Sequence, residues 1–98
     1  MKGIVWYNNR SRGEEKISEI IYHYDFMGIG IIKQINSKNN SFVIFENGDI
    51  WRLVGTTDSA RGQRCNVSFI EQSIEKDFID IIIKPCTTAL PFIAYNYY

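Results

Sequence analysis

The chain has one histidine, His23, and two cysteines, Cys65 and Cys86, which share no CxxC spacing. A zinc site or a histidine-based triad therefore has almost no ligands to draw on. Two such thiols read as reduced, buried residues of a cytoplasmic protein, although a disulfide between them stays open. No G-x-x-x-x-G-K-[ST] segment occurs, so no P-loop can cradle a triphosphate, and no G-x-G-x-x-G follows a strand. Kinase, dinucleotide-binding and ordinary NTPase chemistry lose their support. Surplus charge is also missing, because 11 basic residues balance 11 acidic ones and the pI is about 6.6. Duplex nucleic acid is not expected as a partner, since broad phosphate contact needs an excess of Lys and Arg. An acidic DNA mimic is disfavoured by the same balance. "MKGIVWYNNRSR" lacks the apolar core of a secretory signal, and Ile81-Ile82-Ile83 is far too short to span a membrane. No membrane partner, metal or cofactor is expected, and the cytoplasm is the expected location.

What is present suits one domain over residues 1–98. A chain of 98 residues buries roughly 60–65% of its unfolded surface, enough for a single modest core. With 45% hydrophobic residues, two Pro and seven Gly, nothing reads as disordered.

Gly3 to Tyr7 (GIVWY) has the unbroken apolarity of a buried strand. Ser11 followed by Glu14 forms a capping box, and Ile17, Ile20, Ile21 and Tyr24 recur at helical spacing. This predicts a helix from about Arg12 to Tyr24 that stops near Gly28. "IGIIKQI" reads as a strand and "NSKNN" as a turn. In "SFVIFENGDIWRLV" the Asn47-Gly48 pair supplies the positive backbone angles of a tight hairpin between Phe42–Phe45 and Ile50–Val54. Thr56 to Arg64 reads as a loop and "NVSFI" as a strand. Ser73 is placed to cap a second helix with Ile74, Phe78, Ile81 and Ile82 inward, ending before Lys84-Pro85. The tail "TTALPFIAYNYY" is an edge strand or an oligomer contact. The predicted fold is α+β, a small twisted, mostly antiparallel sheet with two helices packed on it.

The loop Asp58 to Arg64 is the richest candidate site. Arg61 and Arg64, beside Gly62, can present guanidinium forks and backbone N–H groups to phosphate oxygens. The plain alternative is that both are solvated or paired with Asp58. Asn66, at the loop exit, is a reader of a base edge or a tie for the loop. Arg10 and Arg12 flank the start of the first helix, where cations oppose the macrodipole, so a bound anion there would resolve the conflict. Ion pairs with Glu14 and Glu15 are the alternative. Trp51 and Phe92 are candidates for stacking a base, although most aromatics of so small a domain must be core. The tail cluster Phe92, Tyr95, Tyr97 and Tyr98 looks exposed, which makes Tyr95 and Asn96 pocket candidates.

In the order of its pieces, Gly3 to about Pro85 resembles part of a phage large terminase ATPase domain. "FENGDIWRLV" is similar to that family's strand, small turn and second strand. "DSARGQRCNVSFIEQSI" is similar to its arginine-glycine loop running into the Walker B strand. The resemblance sets Arg61-Gly62 on the RG pair, Arg64 on the second basic position and Val67–Ile70 on the Walker B strand. It would require Asp-Glu where this chain has Glu71-Gln72, and a neutral Gln72 cannot act as a general base. With no Walker A, the parts for phosphoryl transfer are missing or altered, so the chain is not expected to be an enzyme. In profile it also resembles small phage anti-Thoeris proteins, which sequester cyclic ADP-ribose-type signals as oligomeric sponges. Together these likenesses imply a phage-derived, homo-oligomeric anti-defence protein that holds a small nucleotide. A protein-binding inhibitor or interaction module, and a terminase-like ATPase fragment within a larger assembly, are the alternatives.

Overall fold

The elements run β1 (Lys2–Tyr7), α1 (Arg10–Phe26), β2 (Ile31–Asn36), β3 (Ser41–Phe45), β4 (Ile50–Gly55) and β5 (Val67–Glu71). A helical segment, residues 76–86, and β6 (Ala94–Tyr97) complete it. A computed structural model gives this fold and describes every residue except Asn39, Asp58, Ser59, Arg61 and Leu90. The six strands form one sheet in the order β2-β3-β4-β1-β5-β6.

The α+β class expected from the sequence is what the chain adopts, with two helical segments on a sheet, but the sheet is mixed. The pairs β2–β3 and β3–β4 are antiparallel, whereas β1–β4, β1–β5 and β5–β6 are parallel. The reason lies in the connections. The β2–β3 and β3–β4 connections are short and give antiparallel pairs, whereas β1, β4 and β5 are joined to their parallel neighbours by long crossovers, which that direction requires. β1 is central, and Ile4, Val5 and Trp6 are 1%, 0% and 0% exposed. Burial of such side chains stabilises by roughly 1.5–3 kcal/mol each.

Each face of the sheet has its own core. On the front, Ile20 and Tyr24 of α1 pack with Val5, Val43, Phe45 and Trp51. Gly13 lets α1 approach closely, since a Cβ there would stand 2.6 Å from Leu53 Cδ1. On the back, Ile74, Ile82 and Ile83 pack with Ile4, Trp6 and Ile70. A buried polar chain pins this second layer. Trp6 Nε1 donates to Ser68 Oγ at 3.1 Å, Ser68 Oγ lies 2.7 Å from Thr87 Oγ1, and Thr87 donates to the Ile83 carbonyl at 2.9 Å. Both thiols, Cys65 and Cys86, are free and buried.

Local details differ from the sequence reading. α1 starts two residues earlier than expected, capped by Asn9, whose Oδ1 accepts the Ser11 N–H at 3.0 Å. Asn9 wins because its extended backbone lets the amide oxygen turn back onto the first turn. In the hairpin only Gly48 has a positive φ, +90°, with Gly48 N–H donating to Phe45 O at 2.9 Å. That is a type I turn followed by a left-handed glycine. Ser73 does not cap the second helical segment, because its hydroxyl is bound to Glu71. Residues Ile79–Ile83 of that segment wind as a π-helix, and the helix continues through Lys84–Cys86. The wider turn rotates the facing residues, so Ile81 is 58% exposed and Ile83 is buried in its place. No helix among the described residues is long and apolar enough to cross a membrane.

Candidate functional site

The carboxyl ends of β4, β1, β5 and β6 lie along one edge of the sheet, at Gly55, Tyr7, Glu71 and Tyr97. The amino end of α1 opens at the same edge. Chain order diverges on either side of β1, and in open sheets such a switch point forms a crevice suited to ligands.

Glu71 closes one half of this edge from within. Its side chain is 1% exposed. Oε1 accepts the backbone N–H groups of Asn9 at 2.9 Å and Asn8 at 3.1 Å, Oε2 accepts from Ser73, and Arg12 Nη1 stands 3.7 Å away. Burial alone would raise the carboxyl pKa. The Ser73 hydroxyl, the two backbone N–H groups and Arg12 outweigh it and leave the group below its ordinary range. The anion expected at the start of α1 is thus supplied by the chain itself, and the ion pair with Glu71 offsets the unfavourable position of Arg12. A carboxylate holding this many donors is a weak base.

Arg10 ties the other half together. Its Nε donates to Glu14 at 3.0 Å, and Nη1 to the Lys38 carbonyl at 3.1 Å and Tyr7 Oη at 3.4 Å. Nη2 donates to Ser37 O at 2.8 Å, Ser41 Oγ at 2.8 Å and Asn36 Oδ1 at 3.2 Å. The guanidinium is a clamp between α1 and the β2–β3 turn, and its donors are fully engaged.

Between this clamp and the outer half of β4 lies a cleft of about 440 Å³. Arg10, Lys38 and Arg52 line it together with Tyr7, Asn40 and Gln63, and no described lining residue is acidic. Arg52 donates to Asn40 Oδ1 at 3.4 Å and lies 5.2 Å over the Phe42 ring. Lys38 Nζ has no hydrogen-bond or ion-pair partner among the described residues. The arrangement concentrates positive charge and amide groups at a concave edge, which suits a phosphate or another oxyanion. Among the described residues no group of three or more His, Cys, Asp or Glu could hold a metal ion.

The residues singled out from the sequence are dispersed. Arg61 and Asp58 lie outside the described residues. Arg10 reaches the cleft. Gly62, with φ +86°, and Arg64 border a separate recess beside Ile81, Pro85 and Cys86. Asn66 accepts the Lys2 N–H at 2.8 Å at the amino end of β1, the opposite edge of the sheet. Trp51 is buried, with Nε1 donating to Tyr24 Oη at 3.0 Å. Phe92 is half-buried against the back core, and Lys84 Nζ is 5.9 Å from its ring. Tyr95 and Asn96 are exposed on β6, with Tyr95 against Phe69 at 5.4 Å. Arg12 lies 4.9 Å over the Tyr98 ring. The tail is less exposed than its sequence suggests, because Tyr97 is buried and donates to the Trp6 carbonyl at 2.7 Å.

Sequence reasoning passed over Lys38, Asn40 and Arg52, and took Gln63 only as part of the Asp58–Arg64 loop. One signal for them was present in Arg52, a cation interrupting the apolar strand "IWRLV". Set against known proteins, the chain matches no family model, no curated protein and no solved structure.

Proposed function

We propose that the chain binds a small phosphate-bearing nucleotide in the cleft at the carboxyl ends of β1 and β4, and retains it without breaking a bond. One observation carries this reading: Arg10, Lys38 and Arg52 converge on a cavity with no acidic group among its described lining residues. The phosphates meet Lys38 and Arg52, whose charges are not neutralised by ion pairs among the described residues. Asn40 and Gln63 supply amide donors and acceptors for the base or ribose. Glu71, the acidic residue at the neighbouring strand end, is already spent on Asn8, Asn9, Ser73 and Arg12, which supports holding over hydrolysis. A sequestering, anti-defence role rests on the chain's resemblance in profile to small phage anti-Thoeris proteins and on the small size of the domain. Assembly into a homo-oligomer belongs to the same reading, and β2 and β6 are the edge strands available for it.

The test is retention. Purified protein is incubated with mononucleotides, cyclic nucleotides and ADP-ribose derivatives, washed and heat-denatured, and the released compound is identified. Intact nucleotide supports the reading. A cleaved product, or retention of none of them, overturns it.

A further inference from the structure

The back face of the sheet is only half covered. Residues Phe78, Ile79, Ile82 and Ile83 lie against Ile4, Trp6 and Ile70, over the β1–β5 half. On the other half, Ile35, Phe42, Ile44 and Ile50 belong to neither core cluster and are half-buried. Register orders this open face in two cross-strand rows. One runs Lys33, Ile44, Ile50, Lys2, and the next runs Ile35, Phe42, Arg52, Ile4. Side-chain alternation confirms the face, since Val43, Phe45, Trp51 and Leu53 point into the front core.

The open strip itself is cationic. Lys2, Lys33 and Arg52 are exposed on the open face, and neither row contains a carboxylate. None of the three has an ion-pair partner among the described residues. The helices on either side carry both signs. Glu14, Glu15, Glu19, Arg10, Arg12 and Lys16 lie on α1 over the opposite face, and Asp77, Asp80 and Lys84 on the segment that covers the other half of this one.

The geometry points to a single-stranded nucleic acid as the occupant of this open face, running from Lys33 and Lys2 past Arg52 toward the cleft. The lysines flank an apolar strip on which bases and sugars can rest. Arg52, whose guanidinium carbon stands 5.2 Å from the centre of the Phe42 ring, sets a cation beside an aromatic face, the two groups on which a base can stack. An acidic peptide would use the charges but not the aromatic face. A second copy packed through the same face would set lysines against lysines. Zero net charge disfavours a duplex footprint but not a local cationic strip.

The surface shares Arg52 with the cleft, so the test turns on Lys33 and Lys2, which lie outside it. A fluorescently labelled 12-nucleotide oligothymidylate is titrated by anisotropy at several salt concentrations, alongside a labelled mononucleotide. The oligonucleotide is expected to bind more tightly than the mononucleotide. In K2E/K33E its affinity falls, and the salt slope shrinks by roughly 0.7 per lysine lost, while mononucleotide retention is unchanged. Lys33→Gln, the milder change, gives half of that slope effect if the double variant loses its native circular dichroism. The inference is overturned by unchanged oligonucleotide affinity and slope in the folded variants, by equal binding of the two probes, or by an oligoglutamate of equal charge binding as tightly. Failure of mononucleotide retention alone overturns the cleft reading and leaves this one standing.

Discussion

Asn9 and Glu71 lie 62 residues apart, and the backbone N–H of Asn9 donates to Glu71 Oε1 at 2.9 Å. That bond joins the start of α1 to the end of β5 and fixes the carboxyl edge of the sheet. Glu71→Ala leaves the Asn8 and Asn9 N–H groups and Arg12 without their acceptor. It is expected to cost about 3 kcal/mol or more, read as a lower urea midpoint. Glu71→Gln keeps an acceptor and should cost less than the alanine variant. Equal midpoints for Glu71→Ala and the parent would refute the capping role.

Acid sensitivity follows from two carboxylates. Burial pushes Asp49 upward, but the Tyr24 hydroxyl at 2.6 Å, the Met1 amine at 2.9 Å and Asn47 leave it below its ordinary range. Glu71 is lowered as well. A carboxyl depressed by folding contributes stability that is fully present above its unfolded pKa, about 4, and is lost as pH falls through the lower folded value. Unfolding free energy should therefore be flat near neutrality and decline below roughly pH 4.5. Urea titrations from pH 7 downward should show a shallower acid limb in Glu71→Gln and Asp49→Asn, and an unaltered limb in both would contradict this.

Arg10 holds the β2–β3 turn to α1 through a planar fork that a lysine cannot reproduce. Arg10→Ala and Arg10→Lys are each expected to loosen residues 36–41, with a loss of about 1–3 kcal/mol. Hydrogen exchange is the readout, with faster amide exchange at Ser37 and Ser41 and unchanged exchange in β5. Full protection in Arg10→Lys would show that charge alone suffices.

Lys38 and Arg52 line the cleft without stabilising the fold through ion pairs among the described residues. Lys38→Ala combined with Arg52→Ala should weaken nucleotide binding at least tenfold, about 1.4 kcal/mol, with the urea midpoint nearly unchanged. Calorimetry with the retained nucleotide decides it. Undiminished binding would place the ligand elsewhere.

Much of the fold was legible locally. The apolar run at Ile4–Trp6, the period of Ile17, Ile20 and Tyr24, and the Asn47-Gly48 turn each announce their element. Strand direction was not legible, because nothing in GIVWY says which distant strands flank it. The site was less legible still. The cations at the start of α1 imply an external anion or ion pairs with Glu14 and Glu15; Arg10 takes the Glu14 pair and ends other donors on Asn36, Ser37 and Ser41, partners that only the β2–β3 turn brings near. Lys38 and Arg52 line one cleft because two successive hairpins, β2–β3 and β3–β4, carry them to the same edge, and no motif around either residue signals that meeting. The π-helical turn at Ile79–Ile83 likewise defeats a reading based on a period of 3.6.

The central place of β1 has a kinetic consequence. Lys2 binds Asn66, 64 residues on, and Asn8 binds Thr56, 48 residues on. Both sides of the first strand must wait for partners far along the chain, so loop closure comes before most of its stabilisation. The β3–β4 hairpin can form at once, while Ile4, Val5 and Trp6 stay uncovered. Stopped-flow refolding should accordingly be slow, on the order of milliseconds to seconds, with Trp6 fluorescence changing late. The strand that is most protected in the finished protein is the one most open to association with other chains before it is finished.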